Sequence, residues 1–159
     1  MNESTSPPES FSGKGGWWVV SQSLLLLGVV AAGPLDHGAA PAWSFLTGVI
    51  LFCLAGGIGI AGVVCLDRNR TAYPRPRHDS RLITWGIYAW LRHPLYSCLV
   101  MASLGWSALF YSLSTLFVTL PLTLFLLAKA RREERWLLEQ FPEYADYRRR
   151  VAGFIPGIF

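Results

Sequence analysis

Residues 97–128 read SCLVMASLGWSALFYSLSTLFVTLPLTLFLLA and contain no Asp, Glu, Lys or Arg. A continuous α-helix of this length would extend about 48 Å, whereas the hydrocarbon core of a bilayer is about 30 Å thick. The stretch is therefore too long for one membrane crossing. We predict a tight hairpin of two membrane helices that breaks around residues 111–114, with Pro121 as a kink in the second helix.

Two further uncharged stretches precede this hairpin, at residues 17–35 and 43–66. Each is long enough to span a bilayer, and both begin with Trp, which is enriched at membrane interfaces. The whole chain is 52% hydrophobic and only 15% charged, against roughly 25% charged in soluble domains. This composition excludes both a soluble globular domain and a disordered chain. The predicted fold class is an all-α polytopic membrane protein with about four transmembrane helices and a cytoplasmic C-terminal helical segment.

The ends of the first apolar stretch leave an alternative open. Residues 1–16 are rich in Ser, Pro, Glu and Gly, which predicts a disordered tail, and residues 17–159 then form one integral-membrane domain. Lys14 before the stretch and Ala31-Ala32-Gly33 near its end are also compatible with a cleaved signal peptide. The Trp17-Trp18 start and the length favour a retained anchor. Three cysteines lie in or beside apolar stretches with neither disulfide nor zinc spacing, and no metal site is expected: Cys53, Cys65 and Cys98.

The positive charges predict the orientation in the membrane. Of the fourteen Lys and Arg, six lie between the second and third helices, seven follow the fourth, and none lies in residues 33–42 or in the hairpin turn. By the positive-inside rule, both termini and residues 67–96 are cytoplasmic. These cations lie close to the membrane, so anionic headgroups are their expected partners and no nucleic acid is expected.

Two polar stretches remain for chemistry, residues 67–96 and 129–159. In the first, Arg92-His93 directly precedes Pro94, which suits the first turn of the third helix. The unpaired backbone N–H groups of such a turn are expected to form an anion site. The ordinary alternative is that His93 is a hydrogen-bonded structural residue at the interface.

The second polar stretch continues the fourth helix into the cytoplasm. Lys129 and Glu133 are four residues apart and share a face of this helix, as do Arg132 and Trp136. The ordinary alternative is a solvated positive collar that anchors the helix at the membrane surface.

A series of short motifs occurs in fixed order between residues 67 and 156. It comprises Thr71-Ala72-Tyr73-Pro74-Arg75-Pro76, Gly86-x-Tyr88, Arg92-His93-Pro94-x-Tyr96, Glu133-Glu134-x-x-x-Leu138, Phe141-Pro142-x-Tyr144-x-x-Tyr147 and Val151-x-x-Phe154-Ile155-Pro156. This series resembles the isoprenylcysteine carboxyl methyltransferase and phospholipid methyltransferase superfamily of integral-membrane enzymes. The resemblance implies methyl transfer from S-adenosyl-L-methionine to an amphipathic or lipid-like acceptor of the isoprenylcysteine carboxylate type.

The resemblance also implies roles for individual residues. A substrate-orienting cation of the family, an Arg four residues before the glutamate, corresponds to Lys129 here. Because Lys cannot form the forked carboxylate contact of Arg, Arg132 is a second candidate for this catalytic role. Cofactor contacts are implied at Arg81, Leu82, Ile83, Tyr88, His93, Pro94, Leu95, Tyr96 and Glu133.

The chemistry of S-adenosylmethionine agrees with these residue types. Glu133 suits the ammonium, N–H groups around residues 93–96 suit the carboxylate, and aromatic rings suit the sulfonium or adenine. The expected partners are membrane lipids and the acceptor, without an obligate protein partner, in a bacterial inner membrane with a cytoplasmic active site. The alternatives are a phospholipid amine or small thiol methyltransferase and a non-enzymatic membrane scaffold.

Overall fold

The computed structural model describes residues 15–36, 39–67 and 80–155. The regular secondary structure in these segments is helical, with 3-10 turns at Gly33–Leu35 and Gly86–Ala89. The α-helices are α1 (Gly16–Ala32), α2 (Ala42–Leu66), α3 (Pro94–Phe110), α4 (Leu113–Gln140) and α5 (Tyr144–Arg150). The predicted tail up to residue 14 and the motif at residues 71–76 lie outside the described residues, so the proposed domain division stays a prediction.

The four long helices are apolar enough to account for the predicted membrane crossings. Three segments have the length and hydropathy of a membrane span: Gly16–Leu35, Ala42–Leu66 and Leu113–Gln140. The fourth helix of this group, α3, is apolar but shorter, at 17 residues. Large apolar side chains on these helices are exposed to the surroundings, including Leu24 and Phe117. The chain is thus an all-α polytopic membrane protein, as predicted.

The predicted hairpin is present, with its turn at Tyr111 and Ser112. Tyr111 adopts a left-handed conformation with a φ of 50° and ends α3. Ser112 caps α4, because its Oγ accepts a hydrogen bond from the Thr115 N–H at 3.0 Å. The Asp36 carboxylate accepts from the Ser114 N–H at 3.0 Å and ties the end of the first membrane segment to this turn. Pro121 lies inside α4, which continues past it.

The helix α2 lies close against α3 because small residues line their contact. A Cβ placed on Gly48 would lie 2.8 Å from the backbone nitrogen of Leu109. Ser44 on the same face donates a hydrogen bond to the Ala108 carbonyl at 2.7 Å. On the opposite side of the bundle, α1 packs on α4 around buried Val29, Leu122 and Leu126.

The polar segments before α3 and after α4 are joined beneath the helices. Leu91 and Ala152 form an isolated parallel β-bridge. The Arg92 N–H donates to the Ala152 carbonyl at 2.8 Å, and the His93 N–H donates to the Gly153 carbonyl at 3.1 Å. The predicted continuation of the fourth helix reaches Gln140, and the expected C-terminal helical segment is α5. The two polar stretches singled out in the sequence therefore meet at one end of the bundle.

Candidate functional site

A cavity of about 360 Å³ lies where the two polar segments meet. Its walls come from α1, the end of α2, the segment before α3, the start of α3, α4 and α5. The residues predicted from the resemblance that line it are Arg81, Leu82, Ile83, Tyr88, His93, Pro94, Leu95, Tyr96, Lys129 and Glu133. Arg132, the second candidate for the cation, does not line this cavity, and its guanidinium carbon lies 4.6 Å from the centre of the Trp136 ring.

One face of α4 runs along the length of the cavity. Lys129, Glu133 and Leu137 all line the cavity, and Phe141 lines it just beyond the end of the helix. Residues four apart on a helix share a face and are separated by about 6 Å along its axis. The cavity therefore meets in order a cation, a carboxylate and then two apolar side chains.

Glu133 presents a partly exposed carboxylate to the cavity. Its Oε2 accepts a hydrogen bond from the Tyr96 hydroxyl at 2.9 Å and lies 3.9 Å from Nδ1 of His93. The Glu133 side chain is 30% exposed. A carboxylate accepts up to four hydrogen bonds, so these contacts leave it able to bind a cationic group.

Lys129 is buried in the cavity wall, with 3% of its surface exposed. Its Nζ donates to Oε1 of Gln22 on α1 at 2.6 Å and lies 5.4 Å from the centre of the Tyr96 ring. An ammonium has three donors, so the Gln22 contact leaves donors for a second partner. Gln22 was not among the predicted site residues, although a polar amide within an apolar span is the signal that marks a functional position.

The comparisons with known proteins identify the family of the chain. The profile of the phospholipid methyltransferase family, described as "Phospholipid methyltransferase", matches residues 43–144. The chain belongs to the phospholipid methyltransferase family. The matched region contains α2, α3 and α4, whereas α1 with Gln22 and most of α5 lie outside it.

Three curated relatives of this family member are similar over part or most of the chain. Cobalt-zinc-cadmium resistance protein CzcN of Cupriavidus metallidurans is 40% identical over 105 residues, which are 64% of this chain and 49% of the relative. Nickel-cobalt-cadmium resistance protein NccN of Alcaligenes xylosoxydans xylosoxydans is 30% identical over 154 residues, 82% of this chain and 72% of the relative. Protein-S-isoprenylcysteine O-methyltransferase of Schizosaccharomyces pombe is 38% identical over 104 residues, 64% of this chain and 41% of that enzyme.

The chain spans about half the length of CzcN and less of the Schizosaccharomyces pombe enzyme. No solved structure matches this member of the phospholipid methyltransferase family. In residues 15–36, 39–67 and 80–155, no group of three His, Cys, Asp or Glu side chains is placed to hold a metal ion.

Glu134, next to the cavity-lining Glu133, contacts two arginines and a histidine. Its Oε1 lies 3.0 Å from both Nε of Arg92 and Nε2 of His93, and its Oε2 lies 3.2 Å from Nε of Arg148. Arg92 also donates to the carbonyls of Arg148 and Val151, each at 2.6 Å. Glu134 belongs to the Glu133-Glu134 motif, but no role was predicted for it. Its position indicates a positioning residue that fixes Arg92 and His93.

The first turn of α3 offers fewer free donors than predicted. The His93 N–H is bonded to Gly153, and the N–H groups of Tyr96 and Ser97 both donate to the His93 carbonyl, at 3.1 and 3.0 Å. The expected anion site of free N–H groups around residues 93–96 is therefore wrong for these groups. The segment after α5 accepts the His93 N–H, and the His93 carbonyl at the start of α3 accepts the other two.

Tyrosines outside the membrane helices form the remaining wall. Burial, and to a lesser extent the Glu133 charge, raise the pKa of Tyr88, so its phenol stays protonated at physiological pH. The Tyr147 hydroxyl donates to the Tyr88 carbonyl at 2.7 Å and holds that segment in place. Tyr144 also lines the cavity and was not predicted as a site residue.

Proposed function

We propose that the chain is a membrane methyltransferase that uses S-adenosylmethionine and methylates the carboxylate of an amphipathic acceptor of the prenylcysteine type. The observation that carries this proposal is that a buried lysine and a partly exposed glutamate, Lys129 and Glu133, face one cavity a helical turn apart. The cavity thus offers a cation for an anionic acceptor and a carboxylate for a cationic donor.

The chemistry of the lining residues fits S-adenosylmethionine. Glu133 provides the negative charge that pairs with the ammonium or faces the sulfonium, and the Tyr96 ring lies beside it. Arg81, on the same cavity, provides a positive charge for the amino-acid carboxylate. Leu137 and Phe141 provide an apolar surface for the flat base.

S-adenosylmethionine, held by Glu133 and Arg81, would supply an activated methyl group for the acceptor oxygen and would leave as S-adenosylhomocysteine. A carboxylate acceptor carries no proton, so no side chain is required as a base. Lys129 binds and orients the acceptor, and Gln22 holds the lysine toward the Tyr96 ring. Correct alignment of two reactants contributes ~7 to 11 kcal/mol to lowering a barrier.

The charge of Lys129 favours a carboxylate over an amine acceptor. A protonated amine would meet like charge at this end of the cavity and would also have to lose a proton before it could react. The Schizosaccharomyces pombe relative is named as a protein-S-isoprenylcysteine O-methyltransferase, which supports the same choice. The experiments below would also detect the alternatives. These are a phospholipid amine acceptor, a small thiol acceptor and a scaffold without activity.

Cofactor binding is tested with S-adenosylhomocysteine and the detergent-purified chain, by isothermal titration. We expect saturable binding and a loss of at least about tenfold in affinity for Glu133→Gln, because a contact to a charged group contributes roughly 1.5 to 3 kcal/mol. Glu139→Gln is the matched control, since Glu139 is exposed on the same helix. Absence of binding by the wild-type chain at millimolar ligand would favour the scaffold.

The acceptor is tested with S-adenosylmethionine labelled in its methyl group and three acceptor classes in mixed micelles. These are a farnesylated cysteine with a free carboxylate, phosphatidylethanolamine and an alkyl thiol. A methyl ester releases labelled methanol in base, whereas N-methyl and S-methyl products do not. Base-stable label as the main product would contradict the carboxylate proposal.

A further inference from the structure

We infer that the Tyr144 hydroxyl donates a hydrogen bond to the adenine base of the cofactor, an assignment that rests on the proposed function. Tyr144 is 1% exposed and lies on the cavity wall. Its hydroxyl has no hydrogen-bond partner among the described residues.

An unpaired buried hydroxyl is unusual because its desolvation is not compensated. Other buried hydroxyls do have partners: Tyr147, on the same cavity, donates to the Tyr88 carbonyl, and Ser97 in α3 donates to the Phe154 carbonyl. In the part of the chain that the structure describes, Tyr144 Oη is the buried side-chain polar atom that lacks one. A ligand in the cavity that Tyr144 lines would supply the missing acceptor once the ring adjusts to present its hydroxyl.

The surroundings of Tyr144 select the part of the ligand. Tyr144 and Tyr147 pack against Leu82, Leu137 and Phe141, so this end of the cavity is mainly apolar and aromatic, with Arg92 as a charged residue near the Tyr144 hydroxyl. Along α4 and the segment after it, the cavity wall presents first Lys129, then Glu133 and then this apolar end. The charged amino-acid part of the cofactor fits near Glu133, and the acceptor fits near Lys129. The flat, uncharged base is the part that suits the remaining apolar end.

The phenol has the correct protonation state for this role. Burial is the main cause that raises the pKa of Tyr144, and nearby Glu134 raises it further, while Arg92 opposes the change. The hydroxyl is therefore a donor throughout the physiological pH range. Adenine presents ring nitrogens that accept such a hydrogen bond.

The experiment compares Tyr144→Phe with the wild-type chain in three measurements. These are the affinity for S-adenosylhomocysteine, the affinity for 5′-methylthioadenosine and the thermal stability without ligand. We expect both affinities to fall by a similar factor, roughly three- to tenfold, which is the size of one neutral hydrogen bond. Stability without ligand should be unchanged or higher, because the variant removes an unpaired buried hydroxyl.

Two further tyrosine variants separate this role from a structural one. Tyr111→Phe removes the same atom from the exposed hairpin turn and should change none of the three measurements. Tyr147→Phe removes a paired hydroxyl and should lower the stability without ligand. A loss of stability in Tyr144→Phe would overturn the inference, because it would mean that the hydroxyl has a partner within the protein.

The remaining outcomes distinguish this inference from the proposed function. Unchanged affinities in Tyr144→Phe, together with weak binding by Glu133→Gln, would overturn the role of Tyr144 and leave the proposed function intact. A reduced affinity for S-adenosylhomocysteine alone would place Tyr144 at the amino-acid part and overturn the adenine assignment. Absence of binding by the wild-type chain would overturn the proposed function and this inference with it.

Discussion

Adjacent residues on α4 have different roles because consecutive side chains point about 100° apart around a helix. Glu133 faces the cavity and is partly exposed, whereas the Glu134 side chain is 8% exposed and contacts Arg92, His93 and Arg148. The first is suited to bind a ligand and the second to fix the residues that surround it. Neutralising Glu133 should therefore weaken ligand binding, whereas neutralising Glu134 should lower the stability of the protein.

Glu134→Gln should destabilise the protein. Removing the charge leaves Arg92 buried without its ionic partner, and such changes cost about 3 to 5 kcal/mol. The lower value is expected here because Arg148 is half-exposed and can be solvated. Thermal unfolding in detergent measures the effect, with Glu139→Gln as the neutral control on the same helix. A variant as stable as the wild-type chain would show that the cluster contributes no net stability.

Substitution of Lys129 should impair use of the acceptor, whereas substitution of Arg132 should not. Lys129→Met should lower kcat/KM for a farnesylated cysteine by roughly ten- to a hundredfold, the range for a hydrogen bond to a charged group. Its affinity for S-adenosylhomocysteine should change by less than about twofold. Arg132→Met should affect neither quantity, because Arg132 lies on Trp136 outside the cavity. The reverse result would assign the catalytic cation to Arg132.

At the scale of elements, α2 packs against α3 along its length, from Gly62 beside Leu95 near the cavity to Gly48 beside Leu109 near the hairpin turn. Gly48 lies where a side chain would meet both the Leu109 side chain and its backbone nitrogen, the latter at 2.8 Å. A backbone atom cannot move aside as a flexible side chain can. Gly56 on the same helix has open space around the position of a Cβ.

Gly48→Ala should therefore destabilise the helix pair, by roughly 1 to 3 kcal/mol, as overpacking does. Gly56→Ala adds the same methyl group to the exposed side of α2 and should cause no loss of stability. Thermal unfolding of the two variants in one detergent compares them directly. Equal losses of stability in the two variants would mean that any added methyl group on α2 is destabilising, and that the contact with α3 is not the cause.

At the scale of the molecule, the distribution of Lys and Arg predicts which side of the membrane each end of the bundle faces. Glu139 and Ala39 are exposed and belong to opposite ends of the bundle. In intact bacterial cells, a membrane-impermeant maleimide should label Ala39→Cys and should label Glu139→Cys only after lysis. The three native cysteines lie within α2 and α3 and provide the unsubstituted control. Labelling of Glu139→Cys in intact cells would reverse the proposed orientation.

The membrane helices could be predicted from the sequence because bilayer thickness sets their length. A 32-residue uncharged run is too long for one crossing and therefore predicts a hairpin of two helices. Even the turn of the hairpin lies within the predicted residues 111–114. The contact between Gln22 and Lys129 could not be predicted in this way, since it joins residues 107 positions apart. Local pattern also gave no sign that residues after α5 would occupy the His93 N–H, which removed part of the predicted anion site.

The hydrogen bonds from Arg92 and His93 to Ala152 and Gly153 can form only after the C-terminal residues have been synthesised. A third such link joins Ser97 to Phe154, 57 residues further along the chain. During translation, α3 and α4 can enter the bilayer while these acceptors are still inside the ribosome, because synthesis proceeds from the N-terminus. A nascent chain stalled after α4 would thus be inserted without these acceptors and without the part of the cavity wall that Tyr144 and Tyr147 form.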